Sequence, residues 1–97
     1  MLNGDDNIVF VVNKPVSSYI LAVTSQFKEG SSEVIIKARG KAISKAVDVA
    51  EIVRRRYVKN VKADVSIGTE EVAADDGRMM KVSSITIVLA HAQDEST

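Results

Sequence analysis

Apolar residues recur along this chain with two different spacings, and the places where the spacing changes mark its elements. Residues 8–12, IVFVV, form an unbroken apolar and β-branched run, the pattern of a strand (β1) covered on both faces. Asn13, Lys14 and Pro15 interrupt it, and proline suits the first position of a helix, where its missing N–H is no loss. From Pro15 to about residue 28 the spacing is helical, with Val16, Tyr19, Ile20, Val23 and Phe27 on one face (α1). Gly30 supplies a left-handed stop. Residues 33–38 carry Val34, Ile35 and Ile36 and read as a second strand (β2). Strand, helix and strand with so short a crossover predict a right-handed βαβ unit with parallel strands. After Arg39, Gly40 and Lys41 the helical spacing returns. Ile43, Ala46, Val47, Ala50, Val53 and Tyr57 form the apolar stripe of a helix running from residue 41 or 42 to 57 (α2).

From Val61 the period falls to two. Val61, Ala63, Val65 and Ile67 alternate with Lys62, Asp64, Ser66 and Gly68 in a third strand (β3), where Gly68 marks a bulge or bend. Asp75, Asp76 and Gly77 are a strong hairpin-turn signal. The chain returns over about 79–90 (β4), with Ile85, Ile87 and Leu89 on one face and Thr86, Val88 and Ala90 on the other. Apolar alternation is dense at 61–67 and 82–90 and sparse from 69 to 81. The hairpin therefore reads as an arm whose base joins the sheet and whose end projects beyond the body. Ten residues of strand would extend roughly 33 Å, and such a lone ribbon is only marginally stable in water. It calls for a second protomer or a ligand to lean on. Residues 1–7 and 92–97 are polar and read as flexible ends around one domain over 8–91.

Composition adds bounds. At 97 residues, 45% apolar and 27% charged, the chain is a globular domain and not a disordered tail. It has no cysteine, which excludes disulfides and thiolate chemistry and suits a reducing interior. No apolar run approaches the roughly 20 residues needed to cross a membrane, and no leader pattern is present, so a cytoplasmic location is expected. The net charge of zero hides two regions. Residues 37–62 hold nine basic side chains against two acidic ones, and the remainder holds four against eleven. That separation points to an anionic partner for one part of the surface.

Catalytic chemistry finds no footing. The one histidine, His91, lies at the end of the last strand and reads as an edge residue. Asp75 and Asp76 precede a glycine and read as turn-formers. Asp48 and Glu51 lie on a helix face beside three arginines, where Glu51 and Arg55 are spaced as a favourable i, i+4 pair. No set of side chains has metal-ligand spacing, and RGKAISK lacks the spacing of a phosphate-cradling loop. No enzyme activity, metal, cofactor or small-molecule substrate is expected.

Anion binding is better supported. Lys14 precedes the first helix, and Arg39, Gly40 and Lys41 precede the second. Helix N-termini carry unpaired N–H groups and partial positive charge, so cations placed there await an anion. In a βαβ unit both helices start at one edge of the sheet, which brings Lys14, Arg39 and Lys41 together. Arg78 and Lys81 flank the arm's turn, although Glu70, Glu71, Asp75 and Asp76 make that region net acidic. Arg54, Arg55 and Arg56 end the second helix, where cations favour its dipole. The four aromatic side chains are too few for a single-strand stacking platform, and all but Tyr57 fit core positions.

NKPVSSYILAV and EVIIKARGKAISKAVDVAEIVRRRY, followed by a DGR turn, closely resemble the Alba family of archaeal chromatin proteins. The resemblance runs from about residue 8 to 89, and its KARG-x-AISKAVD block is highly specific. It implies an α/β fold, an α+β sandwich β1α1β2α2β3β4 with a mixed four-stranded sheet and a projecting hairpin. This is similar to the C-terminal domain of bacterial translation initiation factor three. It implies a homodimer that binds double-stranded DNA and RNA with little sequence preference and coats or compacts the chromosome. By the same resemblance Lys14, Arg39, Gly40 and Lys41 contact the nucleic-acid backbone from the body. Arg78, with Lys81 nearby, matches the arm's minor-groove residues, and Arg54 and Tyr57 mark the contact between dimers along DNA. Many relatives carry a second lysine where this chain has Asn13, so one backbone-binding cation and an acetylation site are missing. With its acidic arm and ends, the chain is expected to bind more weakly and with more salt sensitivity than its relatives. The alternative readings are an RNA-binding subunit of the ribonuclease P type and a pure protein-interaction module.

Overall fold

A computed structural model of the protein describes residues 7–92 and contains the expected elements in the expected order. β1 is Ile8–Val11, α1 Val16–Lys28, β2 Glu33–Arg39, α2 Ile43–Ile52, β3 Val61–Ala73 and β4 Met79–His91. A 3-10 turn, Gly40–Ala42, leads into α2 and a π-helical turn, Val53–Tyr57, leads out of it. The strands make one mixed sheet in the order β1-β2-β4-β3, with β1 parallel to β2 and the other pairings antiparallel. The expected flexible ends fall outside the described residues, apart from Asn7 and Ala92.

Cross-strand partners share a face of a sheet. Val34 pairs with Leu89, Ile36 with Ile87 and Ala38 with Ile85, and all six are buried. Tyr19 and Val23 of α1, Ala46, Val49 and Ala50 of α2, and Val53 of the turn after it complete the same core. Both helices therefore cover one face, and the fold is a two-layer sandwich. Ile36, Ile87 and Leu89 are almost fully enclosed, each contributing about 1.5–3 kcal/mol of transfer free energy.

Four expectations from the sequence change. β1 is an edge strand and not a doubly covered one: Val11 is buried, but Phe10 is 64% exposed. Phe10 pairs with Lys37, and both point away from the helices, so this phenylalanine is not a core residue. On α2, Val49 takes the buried place that the spacing gave to Val47, which is 39% exposed. α2 packs against both α1 and the sheet. Gly68 makes no bulge, since the β3–β4 register runs unbroken from Val61↔His91 to Ala73↔Met79. Finally, the arm is shorter than its strands. β2 stops pairing at Arg39↔Ser84, which leaves residues 69–73 and 79–83 as the free ribbon, roughly 17 Å long.

The arm's turn follows from its residues. The Ala74 N–H donates to the Arg78 carbonyl at 2.7 Å, and the Gly77 N–H donates to the Ala74 carbonyl at 2.9 Å. Gly77, at φ 88°, takes the left-handed step that closes this three-residue loop.

Candidate nucleic-acid interface

The parallel register Val11↔Ala38 sends β1 and β2 out of the same edge of the sheet. Lys14 follows one strand, and Arg39, Gly40 and Lys41 follow the other. The Lys45 ammonium, from the first turn of α2, donates to the Lys14 carbonyl at 2.7 Å and ties the two loops together. Tyr19 fixes the Lys14 loop from below. Its hydroxyl accepts from the Val12 N–H at 2.8 Å and from the Lys14 N–H at 3.1 Å. Burial of the ring opposes ionisation, but those N–H donors and the charges of Lys45 and Lys14 prevail, and the phenol is lowered from its ordinary value of 10.0.

Neither helix start is capped by a side chain, and neither has an acidic residue in its first turn. Pro15 stands as the residue before α1, one place earlier than expected, and has no N–H to satisfy. Gly40, at φ 56°, lets the chain turn sharply from β2 into the helix. The free N–H groups of these helical turns thus share one edge with three exposed cations, an arrangement that can hold phosphate oxygens.

The arginines expected at the interface already have carboxylates. Arg39 meets Glu70 of β3 at 3.4 Å, with both side chains about half exposed. Arg78 donates through its side chain to Asp76 at 2.8 Å and through its backbone N–H to the same carboxylate at 3.1 Å. Its side chain is still 82% exposed at the end of the arm. Lys81 lies opposite Glu71 in the ribbon and is exposed.

The end of α2 is organised differently. Glu51 accepts from Arg54 at 2.6 Å and from Arg55 at 2.9 Å. These hydrogen bonds hold its carboxyl below the ordinary 4.5, against the opposing effect of desolvation. Arg54 is therefore engaged within its own helix. Tyr57 is 60% exposed and lies at the rim of an open groove of about 570 Å³ beside Ile20, Leu21, Phe27 and His91. His91 stacks edge-on against Phe27, with ring centroids 5.2 Å apart. Among the described residues, no group of three or more His, Cys, Asp or Glu side chains could hold a metal ion. Among the described residues, no helix is long and apolar enough to cross a membrane.

The structure brings Lys14, Arg39, Gly40 and Lys41 together and sets Arg78 and Lys81 apart on the arm. Arg54 and Tyr57 lie on neither surface. Sequence reasoning missed Lys45, whose place on the same edge follows from its position on the first turn of α2. It also missed Glu70, whose pairing with Arg39 depends on strand order and leaves no local signal.

Three comparisons place this geometry among known proteins. The family model Alba matches residues 7–67. DNA/RNA-binding protein Alba from Methanocella arvoryzae is 55% identical over 86 residues, covering 88% of this chain and 90% of the relative. The protein of that name from Methanoculleus marisnigri is 56% identical over 89 residues, covering 91% and 97%. The solved structure of Alba from Thermoplasma volcanium superimposes with a TM-score of 0.83 at 46% identity, covering 88% of this chain and all of that one.

Proposed function

The chain belongs to the Alba family, and from that membership we propose that it binds double-stranded DNA and RNA through their phosphate backbones, with little preference for sequence. The observation that carries this reading is the shared edge, where uncapped helix N-termini stand beside exposed Lys14, Arg39 and Lys41. The relatives at 55% and 56% identity are named DNA/RNA-binding proteins, which supports the same class of partner. Lys14, Arg39, Gly40 and Lys41 contact the backbone from the body. Arg78 and Lys81 reach a groove from the arm once Arg78 exchanges Asp76 for the nucleic acid.

The working unit is a homodimer. Val65 and Ile67 are 57% and 82% exposed, on the helix side of the sheet but beyond the cover of the helices. An exposed apolar strip of this kind at the base of the arm is explained by a second copy. The groove beside Tyr57 serves contact between successive dimers, with Arg54 bracing that helix end. The protein then acts inside the cell on the chromosome, as a coating or compacting protein, within one domain over residues 8–91.

Binding is mainly electrostatic, so log affinity falls linearly against log salt. The Lys14→Ala, Arg39→Ala, Lys41→Ala triple variant should weaken binding equally on unrelated duplexes. Its salt slope should flatten by about 0.9 for each phosphate it no longer neutralises. A triple variant that binds as tightly as the parent, with the parent's slope, would sink the assignment of these residues to the backbone.

A further inference from the structure

The face of the sheet away from the helices carries a second arrangement suited to nucleic acid. Strand register sets Phe10, Lys37, Thr86 and Ser66 in one row across β1, β2, β4 and β3. One row closer to the phosphate edge stand Arg39 and Ser84. Phe10 is 64% exposed at the margin of an open cavity of about 470 Å³, which Lys37, Arg39, Glu70 and Thr86 also line. No described element of this chain covers it.

Each part of the row has a use that a bare surface does not need. An exposed aromatic face on a sheet is a platform for a nucleobase. Two cations from the adjacent strand neutralise the phosphates on either side of such a base. Hydroxyls and a carboxylate at the far side can pair with the polar edge of the base. A base inside a duplex is already stacked on both faces and cannot lie on Phe10. Only a base free of its stack can do so.

We propose that this open sheet face binds an unpaired nucleotide, stacked on Phe10 with its phosphates on Lys37 and Arg39. It extends the phosphate edge into a site for single-stranded segments of RNA or DNA. Arg39 belongs to both surfaces, so a strand leaving a duplex on the edge continues onto the sheet without a break. With one ring in the row, the site takes one base and reads no long sequence. The inference rests on the nucleic-acid reading above.

The test compares a short single-stranded RNA containing 2-aminopurine with a duplex DNA at one salt concentration. The parent protein should quench the 2-aminopurine on binding, as stacking requires. Phe10→Leu keeps the residue apolar and should weaken the single strand about tenfold. It should abolish the quench and leave duplex affinity unchanged, while Phe10→Trp restores both single-strand signals. Lys37→Gln should weaken the single strand more than the duplex. Equal loss on both nucleic acids, or no loss on either, overturns the proposal while the duplex reading stands. A change in sedimentation of Phe10→Leu without nucleic acid also overturns it, because a second copy of the chain then covers the face. If the parent binds neither nucleic acid, the underlying reading has failed.

Discussion

Arg39 meets the carboxylate of Glu70 at 3.4 Å, and the proposed phosphate contact would compete for the same guanidinium. The internal pair is half exposed, and such pairs contribute at most about 1 kcal/mol. A bidentate arginine–phosphate pair is stronger, so under the proposed function nucleic acid would displace Glu70 at a cost in each binding event. Glu70→Gln should therefore tighten duplex binding by up to about fivefold. The gain should vanish when Arg39→Ala is also present, since then there is no guanidinium to release. Glu71→Gln removes the same charge from the other face of the ribbon and serves as the control. An equal gain from Glu71→Gln would reduce the effect to general repulsion. Tyr19 works in the opposite sense at the neighbouring loop, where two backbone N–H groups converge on its hydroxyl and keep Lys14 at the edge.

At the scale of elements, α2 joins two devices with different physics. Its start is a 3-10 turn with free N–H groups, which favours an anion from outside. Its end satisfies itself, because Arg54 and Arg55, in the π-helical turn, close back on Glu51. The Val58 N–H donates to the Val53 carbonyl at 2.9 Å, the five-residue spacing of that turn. The folded state holds the Glu51 carboxyl below its ordinary 4.5, so the folded protein prefers the ionised form. That stabilisation is present above the unfolded value and disappears as pH falls through the lower folded value. Glu51→Gln should lower Tm at neutral pH by about 2–4 °C. The gap from the parent should close as pH drops below 4.5 and onward. A gap that stays constant across the acid range in thermal melts would remove Glu51 from the helix end's stability.

At the scale of the whole molecule, the structure measures 53 × 28 × 27 Å, and the two long strands β3 and β4 run along its length. Among the described residues no third strand pairs with the ribbon beyond Ser84, and the apolar side chains at its base are exposed. Ile67, at 82% exposure, is the most open of them. Placing a charge there should prevent pairing of two copies without disturbing the core. Ile67→Glu is thus expected to sediment as a monomer and the parent as the proposed dimer, with the far-ultraviolet circular dichroism unchanged. A variant that remains dimeric would move the interface off this strip. The zero net charge belongs to the same scale: bulk charge gives no steering, so the proposed binding would depend on how the basic edge and the acidic arm are placed.

Periodicity alone determined the kinds of element and their order. A helical stripe and a two-residue alternation are local patterns, readable wherever one face of an element is buried. The residues flanking the two helix starts were legible for the same reason, since a helix N-terminus has its chemistry wherever it lies. The family block in residues 37–57 added the partner class. What only the tertiary structure decided is which strands lie at the edge and how far each face is covered. Residues 8–12 have the composition of a buried strand, yet the order β1-β2-β4-β3 leaves one face open and turns Phe10 outward. Val47 and Val49 are both apolar, and only the tertiary packing of α2 shows that Val49 is the buried one. Glu70 reaches Arg39 across thirty-one positions of sequence, through a strand order that no local pattern encodes. Burial is a property of neighbours, and the neighbours are set by the fold.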